Sequence, residues 1–320
     1  MKLAIVVPVS PFEPVEILKQ SALHLKSLDY RGMVIKLLYV VDLKEEGDER
    51  VKALRKLGVE VLERRTTRGK RAGAINDALK ALKDFMPDYI AIFDVDSRPA
   101  KDFVVKCVKA LENDAKAYIA SSPRYISNPI NLVSKTIEAE YHLINFLLRR
   151  SGFRQFNGLI GVLRAKYLFK YRLREGAVAE DADFATRMHA RGLRAIFVGD
   201  TLTYEQSPLS WKDLFNQRKR WYYGGLQLWR YWKDVKRSRD SNFILSWFMA
   251  LTFTYFVALL LPLMVFSPPL IIYRFRNVKK LVVVAGLVIH TVLLQYAAIQ
   301  AMLSFARKRG VEWKAIERSL

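Results

Sequence analysis

Cysteine is almost missing: Cys107 is the single one in 320 residues. One thiol excludes an internal disulfide framework and any zinc site built on several cysteines. Histidine is scarce as well. His24, His142, His189 and His290 are scattered and contain no H-x-x-x-H pair, which excludes a zinc-protease helix. Neither G-x-G-x-x-G nor G-x-x-x-x-G-K-S/T occurs, so the dinucleotide fingerprint and the Walker A cradle are absent. There is no N-x-S/T glycosylation acceptor, and the apolar run after Lys2 stops at Pro8, too short for a secretory signal. These absences favour a catalytic part that faces the cytosol.

Acidic side chains are the minority, 31 against 53 Lys and Arg, for a formal charge of +22. Both the first 240 residues (+15) and the last 80 (+7) are basic. Such a field suggests an anionic partner: nucleic acid, anionic membrane lipids or a phosphorylated small molecule. The apolar share of 51% leaves ample material for a core. Two stretches are uncharged, Phe243 to Phe266 and Leu281 to Leu303. A 24-residue helix is about 36 Å long, enough to cross a hydrocarbon core of about 30 Å. Five Lys/Arg in 229–242 and five after 303 outweigh the four between the spans, which places both flanks in the cytosol.

Before residue 240 the chain alternates strand and helix signals. Leu3–Val7, Val34–Val41, Val59–Leu62, Tyr89–Phe93 and Ala117–Ala120 read as buried parallel strands, with helices over Pro14–Leu28, Glu45–Leu57, Arg71–Leu82 and Lys101–Leu111. This spacing gives βαβ units and an open sheet, whose ligands bind beyond the carboxyl ends of the strands. Carboxylates stand at those ends: Asp42 closes one run, and Asp94-Val95-Asp96 closes another. Two carboxylates one residue apart suit a hard divalent cation. A second D-x-D, Asp181-Ala182-Asp183, shows how weak the pattern is alone. Glu180-Asp181 opens a helix, where a carboxylate is favoured by the dipole and can also take a proton from a hydroxyl.

Gln217-Arg218-Lys219-Arg220-Trp221 is the rare signal. With Ser210 as N-cap the chain is helical from Trp211, so Gln217, Arg220 and Trp221 share one face. An Arg there can fork onto a diphosphate, and a Trp ring offers a platform for a sugar. A helix seating the same residues at lipid headgroups is the plain structural reading.

Taken in order, Asp42, Asp94-Val95-Asp96, Glu180-Asp181 and Gln217-x-x-Arg220-Trp221 resemble the D, DxD, ED and QxxRW motifs of membrane-bound family 2 glycosyltransferases. Cellulose, chitin, hyaluronan and poly-N-acetylglucosamine synthases share this pattern. Arg71-Ala72-Gly73-Ala74-Ile75-Asn76 resembles the family's KAGALN, and Phe156-Asn157-Gly158 through Arg164 its FCGSxAVxRR stretch. The resemblance implies an α/β GT-A fold, Rossmann-like, with a mostly parallel sheet and flanking helices. It divides the chain into a cytosolic GT-A domain (1–209), an interfacial helix region (210–242), two transmembrane helices (243–266 and 281–303) and a basic cytosolic tail (304–320).

The same resemblance implies the roles. Asp181 is the catalytic base with Glu180 beside it. Asp42, Asp94, Arg71, Gly73, Asn76, Gln217 and Arg220 bind the nucleotide-sugar, a UDP-sugar. Trp221, Asn157 and Gly158 meet the acceptor. Asp96, with Asp94, holds Mn²⁺ or Mg²⁺. The expected reaction is inverting, metal-dependent sugar transfer to a glycan or glycolipid at the membrane. Two helices cannot wall a polysaccharide channel, so either a homo-oligomer builds it or the sugar goes to a lipid. Transfer of one sugar to a polyprenyl phosphate is the second reading. A phosphatase using Asp94 as nucleophile would leave Q-x-x-R-W unexplained. A non-enzymatic basic protein binding nucleic acid or anionic lipid would show no sugar-nucleotide turnover. A basic face beside two membrane spans reads more simply as apposition to anionic membrane lipids, so no nucleic-acid partner is expected.

Overall fold

The structure is a computed structural model that describes residues 1–311. Most of the tail expected over 304–320 lies outside the described residues.

Five strand–helix signals of the sequence form the first part of the sheet. β1 (Lys2–Val9), β2 (Val34–Asp42), β3 (Glu60–Arg64), β4 (Tyr89–Ile92) and the later β6 (Ala117–Ser121) alternate with α1 (Val15–Lys26), α2 (Glu49–Lys56), α3 (Lys70–Ala81) and α4 (Phe103–Glu112). Between β4 and α4 lies the two-residue β5 (Arg98–Pro99). After β6 come β7 (Arg124–Ile126), α5 (Leu132–Arg150), β8 (Gly161–Arg164), α6 (Ala165–Tyr171), α7 (Glu180–His189), β9 (Arg194–Phe197), β10 (Thr203–Glu205) and α8 (Trp211–Gln227). The main sheet runs β3-β2-β1-β4-β8-β6-β9, and β8 is antiparallel to both neighbours while every other pairing is parallel.

Period-two alternation feeds two helical layers. Ala4 and Val6 of β1 pack with Ile75, Leu79, Phe184 and Met188 on one face; Leu3, Ile5 and Val7 pack with Leu18, Phe103 and Cys107 on the other. Because β8 is antiparallel, its N-terminal end lies at the edge where β2 and β4 finish: Gly161 is opposite Ile92. The turn before it, Asn157-Gly158, is thereby delivered to the carboxyl edge of the sheet. A second sheet, β5-β10-β7, closes over this edge and brings the end of β10 close to Asp96.

Beyond α8 a short helix, α9 (Trp232–Val235), leads to two apolar segments. The first comprises α10 (Ser241–Thr252), a 3₁₀-type stretch Phe253–Phe266 that bends at Phe256 and contains Pro262, and α11 (Ser267–Phe275). The second is α12 (Val282–Ala306). Both are long and apolar enough to cross a membrane. The span expected over 243–266 falls within the first, and the one expected over 281–303 begins one residue before the second.

Candidate active site

The site is built round Arg71, in the first turn of α3. Its Nε donates to Asp94 Oδ1 at 2.9 Å, Nη1 to Glu180 Oε1 at 3.1 Å, and Nη2 to the Gly158 carbonyl. One guanidinium thus joins the loop after β4, the start of α7 and the turn before β8. Burial works against its charge, but Asp94, Glu180 and Asp181 more than offset this and raise Arg71 above the ordinary arginine range. Gly158 has φ +65°, and an added Cβ would stand 3.2 Å from both Arg71 Nη2 and Asp94 Oδ2. The position therefore calls for glycine on conformational and steric grounds.

On the other side of that turn, the Gly158 N–H donates to Asp181 Oδ2 at 2.6 Å, while Asp181 Oδ1 accepts from the Ala182 N–H at 2.8 Å. Both carboxylate oxygens are oriented by backbone. Glu180 is buried beside it, and burial, then the Asp181 charge, push its carboxyl up against the opposing pull of Arg71 and Arg220. Asp183, the third residue of the second D-x-D, is fully buried and serves the fold: it accepts from Arg187 Nε at 2.8 Å and the Tyr231 hydroxyl at 2.6 Å.

Asp96 is buried and its Oδ2 accepts from the Gln206 N–H at 3.1 Å. The preceding residue, Glu205, was not singled out in the sequence. It is paired with Arg124 at 2.9 Å, and burial raises its carboxyl against that pairing, with Asp96 and Asp94 adding to the rise. Arg124 also donates to the Asn157 carbonyl at 3.2 Å. Glu205 and Arg124 follow no motif, and only the small sheet places them here.

Asp42 lies at the end of β2, buried, with Oδ1 accepting from Arg64 Nη1 at 2.8 Å. Gly73 packs where an added Cβ would sit 1.9 Å from the Arg68 carbonyl, so it fixes the entry of α3. Asn76 spends its amide on a distant loop: Nδ2 donates to the Leu173 carbonyl at 2.9 Å, and Oδ1 accepts from the Leu173 N–H at 3.0 Å. These bonds make Gly73 and Asn76 parts of the scaffold under the site.

Ser210 caps α8 as its sequence requires, accepting from the Asp213 N–H at 3.1 Å. Arg220 is brought into the field of Glu180, Asp181 and Asp94; burial lowers its pKa and these three carboxylates oppose the fall. Trp221 is half-buried, its ring covered by the Arg218 guanidinium at 4.1 Å. Arg218 in turn pairs with Glu140 at 2.5 Å. Gln217 is half-buried on the same helix. Gln227 closes α8 onto the loop before α7, its Oε1 accepting from the Val178 N–H at 2.9 Å. Gly224 permits the approach, since an added Cβ would be 2.5 Å from the Ala179 Cβ.

The profile named Glycosyl transferase family group 2 matches residues 89–303, more than half of the chain, and the chain belongs to that family. Probable glucomannan 4-beta-mannosyltransferase 4 of Oryza sativa subsp. japonica is 26% identical over 172 residues, 51% of this chain and 31% of that protein. Glucomannan 4-beta-mannosyltransferase 7 of Arabidopsis thaliana is 26% identical over 193 residues, 58% and 35% respectively. The matched stretch spans about a third of the length of these curated relatives. Among solved structures, the mannosyltransferase PcManGT of Pyrobaculum calidifontis, in complex with GDP-Man and Mn²⁺, superposes with a TM-score of 0.65 at 16% identity, covering 96% of this chain and 88% of that one. S. aureus TarS 1-349 in complex with UDP gives 0.51 at 14%, covering 99% and 95%. At these identities the structural likeness concerns the fold, which is that of GT-A glycosyltransferases.

Two outcomes test the geometry. Gly224→Ala forces α8 from the Ala179 backbone and is expected to lower kcat about 10²-fold, the scale of a 1 Å misplacement; an unchanged kcat in the purified variant would show that helix and loop are independent. Burial pushes the Asp42 carboxyl up to about 6, against Arg64 and Arg50, with Asp77 adding to the rise. Its charge is therefore present above that value and lost as pH falls through it. Nucleoside-diphosphate affinity, measured by titration calorimetry, is expected to drop below about pH 6, and Asp42→Asn to remove that step.

Proposed function

We propose that the chain is an inverting hexosyltransferase that moves a sugar from a nucleotide-sugar to a glycan or lipid-linked acceptor at a membrane. The observation that carries this reading is the convergence of Asp94, Glu180 and Asp181 on the Arg71–Gly158 junction at the carboxyl edge of the sheet.

Inversion by a single displacement needs one base on the acceptor and stabilisation of the departing diphosphate. Asp181 is our base: its carboxylate is buried, oriented by two backbone N–H groups, and free of a salt bridge among the described residues. Glu180 shapes the field around it. Arg220, half-buried with no ion pair among the described residues, is the cation that meets the leaving diphosphate. Trp221, on the same helix and backed by Arg218, takes the acceptor sugar, and Asn157 and Gly158 are its further contacts. Asp42 receives the nucleoside, and Gln217 extends the donor-binding face of α8.

Asp96 and Asp94 are the residues that would hold a divalent cation. Among the described residues no three His, Cys, Asp or Glu side chains form a closed metal cage. Two carboxylates supply hard oxygen donors for an ion such as Mn²⁺ or Mg²⁺ whose other ligands are phosphate and water, and in that sense they fit. When bound, the ion neutralises charge on the diphosphate.

The names of the plant relatives put mannose first among donor sugars. GDP-mannose therefore stands beside the UDP-sugars suggested by the motif pattern. A polyprenyl-phosphate acceptor is the second reading, favoured by the packing of α8 against the apolar segments. The basic residues in 229–242 support placing residues 1–240 on the cytosolic side, where the leaflet surface is anionic.

The test is nucleoside-diphosphate release from a panel of GDP- and UDP-sugars, in detergent with native lipid, under Mn²⁺, Mg²⁺ and EDTA. Release from one donor, lost with EDTA and reduced about 10²–10⁴-fold by Asp181→Asn, is expected. Turnover that survives Asp181→Asn would remove the proposed base.

A further inference from the structure

The two apolar segments are long enough to span a bilayer, yet both are fastened to the catalytic domain, α12 over most of its length and the first segment near its two ends. On α12, an added Cβ at Gly286 would sit 2.0 Å from Thr136 Oγ1, so α12 and α5 are in close contact there. Further along, His290 Nε2 is 3.6 Å from Glu140 of α5, the Tyr296 ring is 5.3 Å from Phe215 of α8, and the Phe305 ring is 5.5 Å from Tyr223. From Gly286 to Phe305 the helix rises about 29 Å, almost the thickness of a hydrocarbon core. No free length remains for a crossing that would leave α5 and α8 outside the bilayer.

The first segment shows the same attachment. Trp247 Nε1 donates to Thr186 of α7 at 3.1 Å, and the Tyr255 hydroxyl donates to the Tyr222 carbonyl of α8 at 2.6 Å. At its far end, Arg274 lies 3.0 Å from His142 Nδ1 of α5, and the Phe275 and His142 rings are 5.4 Å apart. The His142 ring also lies against Tyr125 of the small sheet, tilted by 56° with 5.3 Å between ring centres. The connection 276–281 therefore returns to the catalytic domain, whereas a hairpin that crosses would carry it a full bilayer away.

The outer face of this layer is apolar and uncovered. Leu259 is 75% exposed, Val265 70% and Leu270 64%, and Val292 and Ile299 continue the face on α12. Leu143, Phe146 and Leu147 of α5 are exposed at i, i+3 and i+4, between the attachment at His142 and the Gly152–Ser246 hydrogen bond of 3.0 Å. Cations flank this surface: Arg149 and Arg150 end α5, and Arg230, Lys233 and Arg237 precede α10. Trp232, 38% exposed, stands with them. An apolar plate with a basic, Trp-bearing rim matches the acyl and headgroup layers of one leaflet.

We infer that residues 241–306 form a monotopic plate that seats in a single leaflet of a bilayer, with the 276–281 connection on the same side as the catalytic domain. The inference is independent of donor, acceptor and base.

Inverted membrane vesicles of a bacterium expressing the full chain test it, with a membrane-impermeant maleimide as probe. Cys107 is buried and stays in place. Glu46→Cys, on a 91% exposed side chain, reports the domain side, and Asn277→Cys reports the connection. Equal labelling of the two variants in sealed vesicles is expected. Labelling of Asn277→Cys that appears only after detergent, or only from the opposite face, overturns the proposal. Because the readout is labelling, it stands or falls separately from turnover.

Discussion

The grip of Arg71 on Asp94, Glu180 and the Gly158 carbonyl is the contact on which the site depends. Three elements far apart in sequence meet at that guanidinium: a strand end, a helix start and the turn before the one antiparallel strand. Buried carboxylates repel one another and resist ionisation unless a cation compensates them. A lysine would supply charge at one point, but Arg71 supplies a planar fork with separate donors for each partner. The arrangement keeps Asp94 turned toward the carboxyl edge and fixes the Gly158 turn whose N–H orients Asp181.

Helix α8 carries this order outward. Gly224 brings it against Ala179, and Gln227 holds Val178, so the residues immediately before Glu180 are set by a helix that also bears Arg220 and Trp221. On its other side, an added Cβ at Gly225 would be 2.5 Å from the Tyr255 hydroxyl. The glycine pair thus lets one helix touch the loop before α7 and the apolar layer together. On the proposed reading, acceptor platform, base and membrane-facing surface are then parts of one stack, and an acceptor held at a lipid surface would reach the base without crossing open solvent.

The five strands legible in the sequence are those with continuous apolar runs, and their carboxyl-terminal acids, Asp42 and Asp94, stand where the βαβ logic puts them. The short strands β5, β7, β8, β9 and β10 carry two to four residues each, too few for a period to declare itself. With them were lost the antiparallel entry of Gly161 and the small sheet that places Glu205 and Arg124. The motif Gln217-x-x-Arg220-Trp221 was legible because its spacing needs only one helix. Its neighbour Arg218 was not, since the value of that residue lies in Glu140, 78 positions away. Asn76 shows the converse: a motif position whose side chain, in the fold, is spent on Leu173.

The central claim is that Arg71 and Asp94 act as one unit. A double-mutant cycle on donor turnover measures this directly, with Arg71→Gln, Asp94→Asn and the pair compared under saturating donor. The account predicts strong non-additivity, the double variant being no slower than the worse single one. Losses that multiply, so that the double variant falls by the product of the two, would contradict it.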